Sequence, residues 1–336
     1  MKSSISISRK IKPYNKVIQI DGDKSLSIRW ALLASQAMGK SKAYNLLRSE
    51  DVLDTLNCLK ALGIKIKNKK KYCEIHGKGI NNFNYKNNLV LNAGNSGTLG
   101  RLILGLLVHS PKKIRLIGDR SLSKRDFSRV TEPLKKIGGK FYFNKKNKLP
   151  LSILGTKFAK PIIYNENKGS AQCKSCVMLA ALNTEGETII KAKRSRNHTE
   201  LLFKYLKIPI KVRKKTKFDL IKIKGKKEFK SFNYKVPADI SSSAFFIALT
   251  ALSENSRLII KSVNINPTRG GVIEILSKMG VKISLKNKIN YKGEKIADIQ
   301  VESAKNLRAI NCPAKLNSSA IDEFLIIFLV AARSKG

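Results

Sequence analysis

The sequence lacks any apolar run long enough to cross a membrane: the longest, Phe324 to Ala332, falls far short of the roughly 20 residues a spanning helix needs. No signal-type apolar segment follows Met1, so the expectation is a soluble, cytoplasmic chain without a membrane partner. Histidine is scarce, and His76, His109 and His198 stand far apart, which gives no ligand cluster. Of the five cysteines, only Cys173 and Cys176 have redox-like or metal-like spacing, and no second pair completes a zinc site. They lie three apart in an apolar stretch, Ala171 to Leu182, which favours core packing. No Gly/Ser-rich or Pro-rich linker occurs, so any domain boundary in these 336 residues must be a compact crossing.

Acidic residues are also few. Sixty-seven Lys and Arg against 23 Asp and Glu give a formal charge of +44, a balance that ordinarily points to nucleic acid. Here the lysines are spread through every segment, including the presumed strands Ile64 to Lys69 and Lys217 to Lys224, and form no arm or stripe. A solvated basic surface suited to small anionic molecules explains this better than nucleic-acid binding.

What the sequence does have is a repeat. At intervals of roughly seventy residues, a turn of small and hydroxyl residues runs into an apolar helix. The starts are Asp21-Gly22-Asp23-Lys24-Ser25, Asn95-Ser96-Gly97-Thr98, Gly169-Ser170-Ala171-Gln172, Asp239-Ile240-Ser241-Ser242 and Ser318-Ser319-Ala320-Ile321-Asp322. The helices expected after them cover Leu26 to Met38, Leu99 to Val108, Ala171 to Leu182, Ser243 to Leu252 and Asp322 to Ala332, with apolar residues at helical spacing. A second helix closes each of the first four units. Gly63, Gly138 and Gly280 follow the first, second and fourth of these as left-handed caps, whereas the third junction reads Tyr205-Leu206-Lys207-Ile208. Each unit is thus strand, helix, strand, helix and further strands, an α/β module.

The first N–H groups of a helix lack internal partners and carry partial positive charge, so such turns can hold phosphate or carboxylate. One turn alone is an ordinary N-cap. Several with cations are more specific: Lys24 and Arg29 at the first, Arg101 at the second, Lys174 beside Gln172 at the third, and Arg125 after the second unit's strand. Gly97 allows close approach of a ligand to the backbone. The fifth start ends in Asp322-Glu323, carboxylates able to do acid or base work beside a cationic site.

These motifs together resemble the EPSP synthase (3-phosphoshikimate 1-carboxyvinyltransferase) family. The resemblance runs along the whole chain: Gly22-Asp23-Lys24-Ser25 with Arg29, Asn95-Ser96-Gly97-Thr98 with Arg101, Ser170-Ala171-Gln172, Ser195-Arg196-Asn197-His198-Thr199-Glu200, Pro237-Ala238-Asp239-Ile240-Ser241-Ser242, Asn266-Pro267-Thr268-Arg269 and Ile321-Asp322-Glu323. It implies a two-domain inside-out α/β barrel of βαβαββ repeats, with helix starts directed to the cleft between the domains. Residues 21–234 would form a three-repeat domain. Residues 1–20 with 235–336 would form the second, holding one full repeat and part of another.

The resemblance also implies the site. Lys24, Ser25, Arg29, Ser170, Ala171, Gln172, Ser195, Arg196 and Asp322 would bind shikimate 3-phosphate, and Lys24, Gly97, Arg125 and Gln172 would bind phosphoenolpyruvate. Asp322 would be the general base, with Lys24 and Glu323 completing the catalytic set. No cofactor or metal is implied; the partners are the two small substrates, and the chain would be a monomer unless a partner chain completes the second domain. A related enolpyruvyl transferase acting on UDP-N-acetylglucosamine typically has Lys-Asn where Lys24-Ser25 stands and a loop cysteine that His109 to Phe127 lacks.

The chain departs from the family pattern at Asp21 and Asp126, where proline is usual, with an expected loosening of both turns, and at Asn197, where aspartate is usual. The family continues past the equivalent of residue 336 into a Lys-Glu-Ser-Asp-Arg segment and a later arginine. The expectation is therefore a chain truncated at its C-terminus that binds phosphoshikimate weakly and turns over little, with an exposed Phe324 to Ala332 helix. For the activity, the resemblance implies transfer of the enolpyruvyl group of phosphoenolpyruvate to the 5-hydroxyl of shikimate 3-phosphate with release of phosphate; the alternatives are a catalytically impaired fragment of that enzyme or a non-catalytic anion- or RNA-binding protein.

Overall fold

The computed structural model describes residues 6, 8 and 10–336; residues 1–5, 7 and 9, which the sequence reading assigns to the second domain, lie outside the described residues. The described chain divides into a larger body, residues 21–237 with 291–294, and a smaller one, the described residues up to 20 with 238–290 and 295–336. Each has its own apolar core.

The larger body holds three four-stranded sheets with one shared order. The second is β5 (Leu89–Asn92), β6 (Ile114–Ile117), β8 (Lys148–Leu154) and β7 (Lys140–Lys145); the third is β9 (Ile163–Glu166), β10 (Glu187–Ala192), β12 (Asp219–Lys224) and β11 (Ile210–Lys214). In each the first two strands are parallel and the others antiparallel. A parallel pair needs a crossover, supplied by helices α3 (Gly97–Leu107) and α6 (Ala171–Ala181). The first sheet, β13 (Asn233–Lys235), β2 (Met38–Tyr44), β4 (Tyr72–Lys78) and β3 (Lys65–Asn68), is built differently. Helix α1 (Lys24–Gln36) feeds β2, but the parallel partner is β13, from much later in the chain. The strand before α1, β1 (Asn15–Ile18), pairs instead with β14 (Arg257–Asn264) in the smaller body.

That smaller body has one sheet, β1, β14, β16 (Glu294–Glu302) and β15 (Lys282–Tyr291), with helices α8 (Ile240–Leu252), α9 (Gly271–Lys278), α10 (Asn317–Ala320) and α11 (Phe324–Ala331). The turn between β15 and β16 belongs to the larger body. There Lys292 lies over the rings of Tyr205, Tyr234 and Tyr291, with 5.1 to 5.7 Å to the centroids, and Glu294 meets His198.

The helices that follow the first three polar starts, α1, α3 and α6, are buried nearly all round, as core helices must be. In α1 every residue from Leu26 to Gln36 is buried. Helix α3 packs against α6 so closely that a Cβ on Gly105 would lie 2.2 Å from the carbonyl oxygen of Cys176. Cys173 and Cys176 are fully buried in α6, and burial pushes the Cys176 thiol well above its usual range, which fits core packing.

The second helices of the units are α2 (Glu50–Ala61), α5 (Ser128–Ile137), α7 (His198–Tyr205) and α9, with short α4 (Arg120–Ser123) preceding α5. After α2, α5 and α9 the chain turns through Gly63, Gly138 and Gly280 at φ of +84°, +125° and +97°. Lys207 takes the corresponding place after α7 at φ +56°. A non-glycine residue held there costs on the order of 1–2 kcal/mol. Lys207→Gly is therefore expected to raise the urea midpoint, by up to about 1 kcal/mol in stability; a lowered midpoint would contradict this.

The fifth expected helix differs. Instead of starting at Asp322, the chain forms a 3₁₀ turn over Ala314–Leu316, α10, a turn at residues 321–323, and α11 from Phe324. Two residues of the presumed start thus lie before the helix. Phe245, Phe246 and Leu249 of α8 and Leu325, Phe328 and Leu329 of α11 are exposed, apolar surface of a kind that drives association.

Candidate functional site

At the first helix start, Asp23 is the N-cap, its Oδ1 accepting from the Leu26 amide at 2.9 Å. Lys24 is half exposed, its Nζ 3.2 Å from Asp51 Oδ2 in the first turn of α2. Asp51 carries no signal in the sequence beyond being an acid at a helix start. Ser25 is half-buried and its carbonyl oxygen accepts from Arg29 Nη1 at 3.0 Å.

Arg29 itself is only 4% exposed. Its Nε donates to Thr199 Oγ1 at 2.9 Å and its Nη2 to Ser175 Oγ at 3.3 Å, and those two hydroxyls are 2.7 Å apart. Burial lowers the guanidinium pKa to about 10; Asp23 and Glu200 oppose the shift, Arg196 adds to it, and Glu294 opposes it. One residue along each helix, Lys174 Nζ and Glu200 Oε1 form an ion pair at 2.6 Å, both buried. Ser175 lies in none of the sequence motifs, and Thr199 is an interior position of the Ser195-to-Glu200 motif with no role implied by it.

The second and third starts are joined by Gln172. Its Oε1 accepts from Arg101 Nη1 at 2.6 Å and its Nε2 donates to Thr98 Oγ1 at 3.0 Å, so both ends of the amide are fixed. Ser96 caps α3 and Ser170 caps α6. The Ser170 amide is anchored by Glu166 Oε2 at 2.8 Å, and Glu166 in turn pairs with Arg129. A Cβ on Gly97 would stand 2.5 Å from Arg125 Nη1, so a side chain there would push the end of that arginine aside. Asp126 does not loosen the turn after Arg125. Its carboxylate accepts from the Ser128 amide at 2.7 Å and hydroxyl at 2.8 Å. Burial pushes this carboxyl up, but those bonds with Arg101 and Lys168 hold it below the usual range.

Ala171 is half-buried at the start of α6. Ser195 and Arg196 lie between β10 and α7, half-buried, and among the described residues the buried Ser195 hydroxyl has no hydrogen-bond partner. The histidines, read from sequence as isolated, each have a partner. His198 Nδ1 meets Glu294 Oε1 at 2.7 Å, His76 meets Glu74 at 2.8 Å, and His109 Nε2 meets the Ala180 carbonyl oxygen at 2.8 Å. A cavity of about 560 Å³ in this body, lined by Asn81, Phe83, His109, Phe158 and Lys226 among others, contains none of the candidate residues. It lies beside the C-terminal ends of α3 and α6, away from the starts where the cations gather.

In the smaller body, Arg269 is the hub, and sequence reading gave it no role. Its Nη2 stands 3.8 Å from Asp239, 3.9 Å from Asp322 and 3.6 Å from Glu323. Ser241 Oγ accepts from Arg269 and donates to Glu323. Asp239 caps α8 through the Ser241 amide at 2.7 Å. The two adjacent acids differ sharply: the Glu323 side chain is 2% exposed and Asp322 47%. Glu323 is suited to hold Arg269, and Asp322 to meet solvent or a ligand.

Comparison with known proteins bears on both bodies. The family model for EPSP synthase (3-phosphoshikimate 1-carboxyvinyltransferase) matches residues 8–336. A protein of Petrotoga mobilis named 3-phosphoshikimate 1-carboxyvinyltransferase is 39% identical over 326 residues, 96% of this chain and 74% of that protein. One of the same name from Ruthia magnifica is 41% identical over 330 residues, 97% and 74% of the two chains. The solved EPSP synthase of Acinetobacter baumannii superposes with a TM-score of 0.87 at 35% identity, covering 96% of this chain and 72% of that one. With sequence and backbone in agreement over nearly all its residues, this chain belongs to the EPSP synthase family.

Proposed function

We propose that the chain transfers the enolpyruvyl group of phosphoenolpyruvate to the 5-hydroxyl of shikimate 3-phosphate and releases inorganic phosphate. The observation carrying this is the family match from residue 8 to 336, which includes every residue assigned a role below. Both substrates are anions, and the starts of α1, α3 and α6 offer oriented N–H groups with cations nearby.

In this reading Lys24, Ser25, Arg29, Ser170, Ala171, Gln172, Ser195, Arg196 and Asp322 contact shikimate 3-phosphate. Lys24, Gly97, Arg125 and Gln172 hold phosphoenolpyruvate. Asp322 takes the proton of the 5-hydroxyl as its oxygen bonds to C2 of the enol, while C3 gains a proton to become a methyl group. The resulting tetrahedral ketal loses a methyl proton and expels phosphate, restoring the double bond. Fixed cations stabilise the anionic groups without reorganising. Glu323, placed in the catalytic set by resemblance, acts in this reading through Arg269 and not on substrate.

Phosphate release by purified chain supplied with both substrates is the direct test; release absent with both yet present with UDP-N-acetylglucosamine and phosphoenolpyruvate would redirect the assignment. Gly97→Ala gives a finer check. The added methyl must displace Arg125 Nη1, so phosphoenolpyruvate KM is expected to rise about tenfold or more, the scale of one charged hydrogen bond, with shikimate 3-phosphate affinity nearly unchanged. Equal weakening of both would place Gly97 elsewhere.

A further inference from the structure

The guanidinium of Arg29 has five N–H donors in a fixed fork. The protein uses three. Nε–H and one Nη2–H meet the Thr199 and Ser175 hydroxyls, which are bonded to each other, and one Nη1–H meets the Ser25 carbonyl oxygen. One N–H on Nη1 and one on Nη2 have no partner among the described residues, in a side chain only 4% exposed. A buried charged donor without a partner is costly, so these two hydrogens are placed for an acceptor that the chain does not itself provide.

The two hydroxyls are themselves held in register. Ser175 follows Lys174 on α6, Thr199 precedes Glu200 on α7, and the Lys174–Glu200 ion pair ties the two helices directly beside the hydroxyl pair at 2.6 Å. A rigid hydroxyl pair fixes the plane of the guanidinium by binding its side edge, and the end edge then points in one direction. Without that side edge, Arg29 would keep its charge but could rotate about its last torsions.

We infer that Thr199 and Ser175 are positioning residues that hold the side edge of Arg29, so that its two remaining N–H groups present one preset fork to an oxyanion or hydroxyl of shikimate 3-phosphate. This rests on the reading of Arg29 as a contact to that substrate. Neither hydroxyl touches substrate in this arrangement. Each acts through the arginine.

The test uses the full chain and two readouts, calorimetric binding of shikimate 3-phosphate and the ¹⁵Nε–H signal of Arg29, assigned by its loss in Arg29→Lys. Thr199→Val keeps the side-chain shape and removes the acceptor. It is expected to weaken binding about tenfold and to make the Arg29 Nε–H exchange freely with water, with thermal midpoint and far-ultraviolet circular dichroism close to the parent. Thr199→Ser should restore both the affinity and the protected signal, a rescue that a merely space-filling role would not give. Ser175→Ala, the milder change, should show the same direction if Thr199→Val proves unstable. If the parent binds and Arg29→Lys weakens binding while Thr199→Val and Ser175→Ala leave affinity within twofold and the signal protected, the positioning role is wrong and the functional reading stands. If the parent does not bind shikimate 3-phosphate at all, the functional reading fails, and the positioning role for that substrate fails with it.

Discussion

Glu200→Gln is expected to destabilise the larger body by about 3–5 kcal/mol, the usual cost of removing one member of a buried ion pair. Lys174 is fully buried and its Nζ sits 2.6 Å from Glu200 Oε1; once the carboxylate is gone, the ammonium keeps its desolvation cost without its counter-charge. Set against a typical stability of roughly 5–15 kcal/mol, the loss takes a large share of the whole. The double replacement Lys174→Met with Glu200→Leu should cost much less than the sum of the single changes, because it removes both charges and fills the space. Urea unfolding of the four forms measures the coupling. Additive effects, or a loss in Glu200→Gln below about 1 kcal/mol, the range of an exposed pair, would show that the pair is solvated.

The second large effect concerns Asp322. Asp322→Asn is expected to lower turnover about 10²–10⁴-fold, the range contributed by a positioned general base, while shikimate 3-phosphate still binds. Glu323→Gln should behave differently. Its carboxylate is buried against Ser241 and Arg269, so its loss should lower stability first and affect turnover through displacement of Arg269. Measuring phosphate release together with the denaturation midpoint for both variants separates the roles. An Asp322→Asn chain keeping more than about a tenth of parental turnover would remove the base assignment.

Much of this was legible in the sequence because helix starts and stops are local events. Asp23, Ser96, Ser170 and Asp239 cap the helices they precede, as short polar side chains before apolar periodicity do. The glycine caps at Gly63, Gly138 and Gly280 follow from backbone geometry, and Lys207 kept that geometry without the residue that signals it. The start at Asp322 was misplaced because residues 317–320 already form a separate turn of helix, and apolar periodicity locates a helix better than its first residue. What sequence could not show were partnerships across long separations. Nothing local to Asp51 says that it meets Lys24, nothing in Gly105 says that Cys176 closes on it, and Arg269 gathers acids from positions 239, 322 and 323. Such contacts exist only once the helices are packed.

The exchange of first strands also sets an order of assembly during synthesis. Because β13 and not β1 completes the first sheet, a nascent chain that has passed Lys235 already carries every strand of the three sheets in the larger body. The first strand made must wait far longer: β1 finds its parallel partner only when β14 emerges, across a separation such as Tyr14 to Ser256. Until β14 is made, residues 15–18 lack the parallel partner they have in the folded chain. The four residues Asn-Lys-Val-Ile carry a lysine between their apolar positions and the tail, a charge of the kind that discourages pairing with the wrong neighbour during the wait.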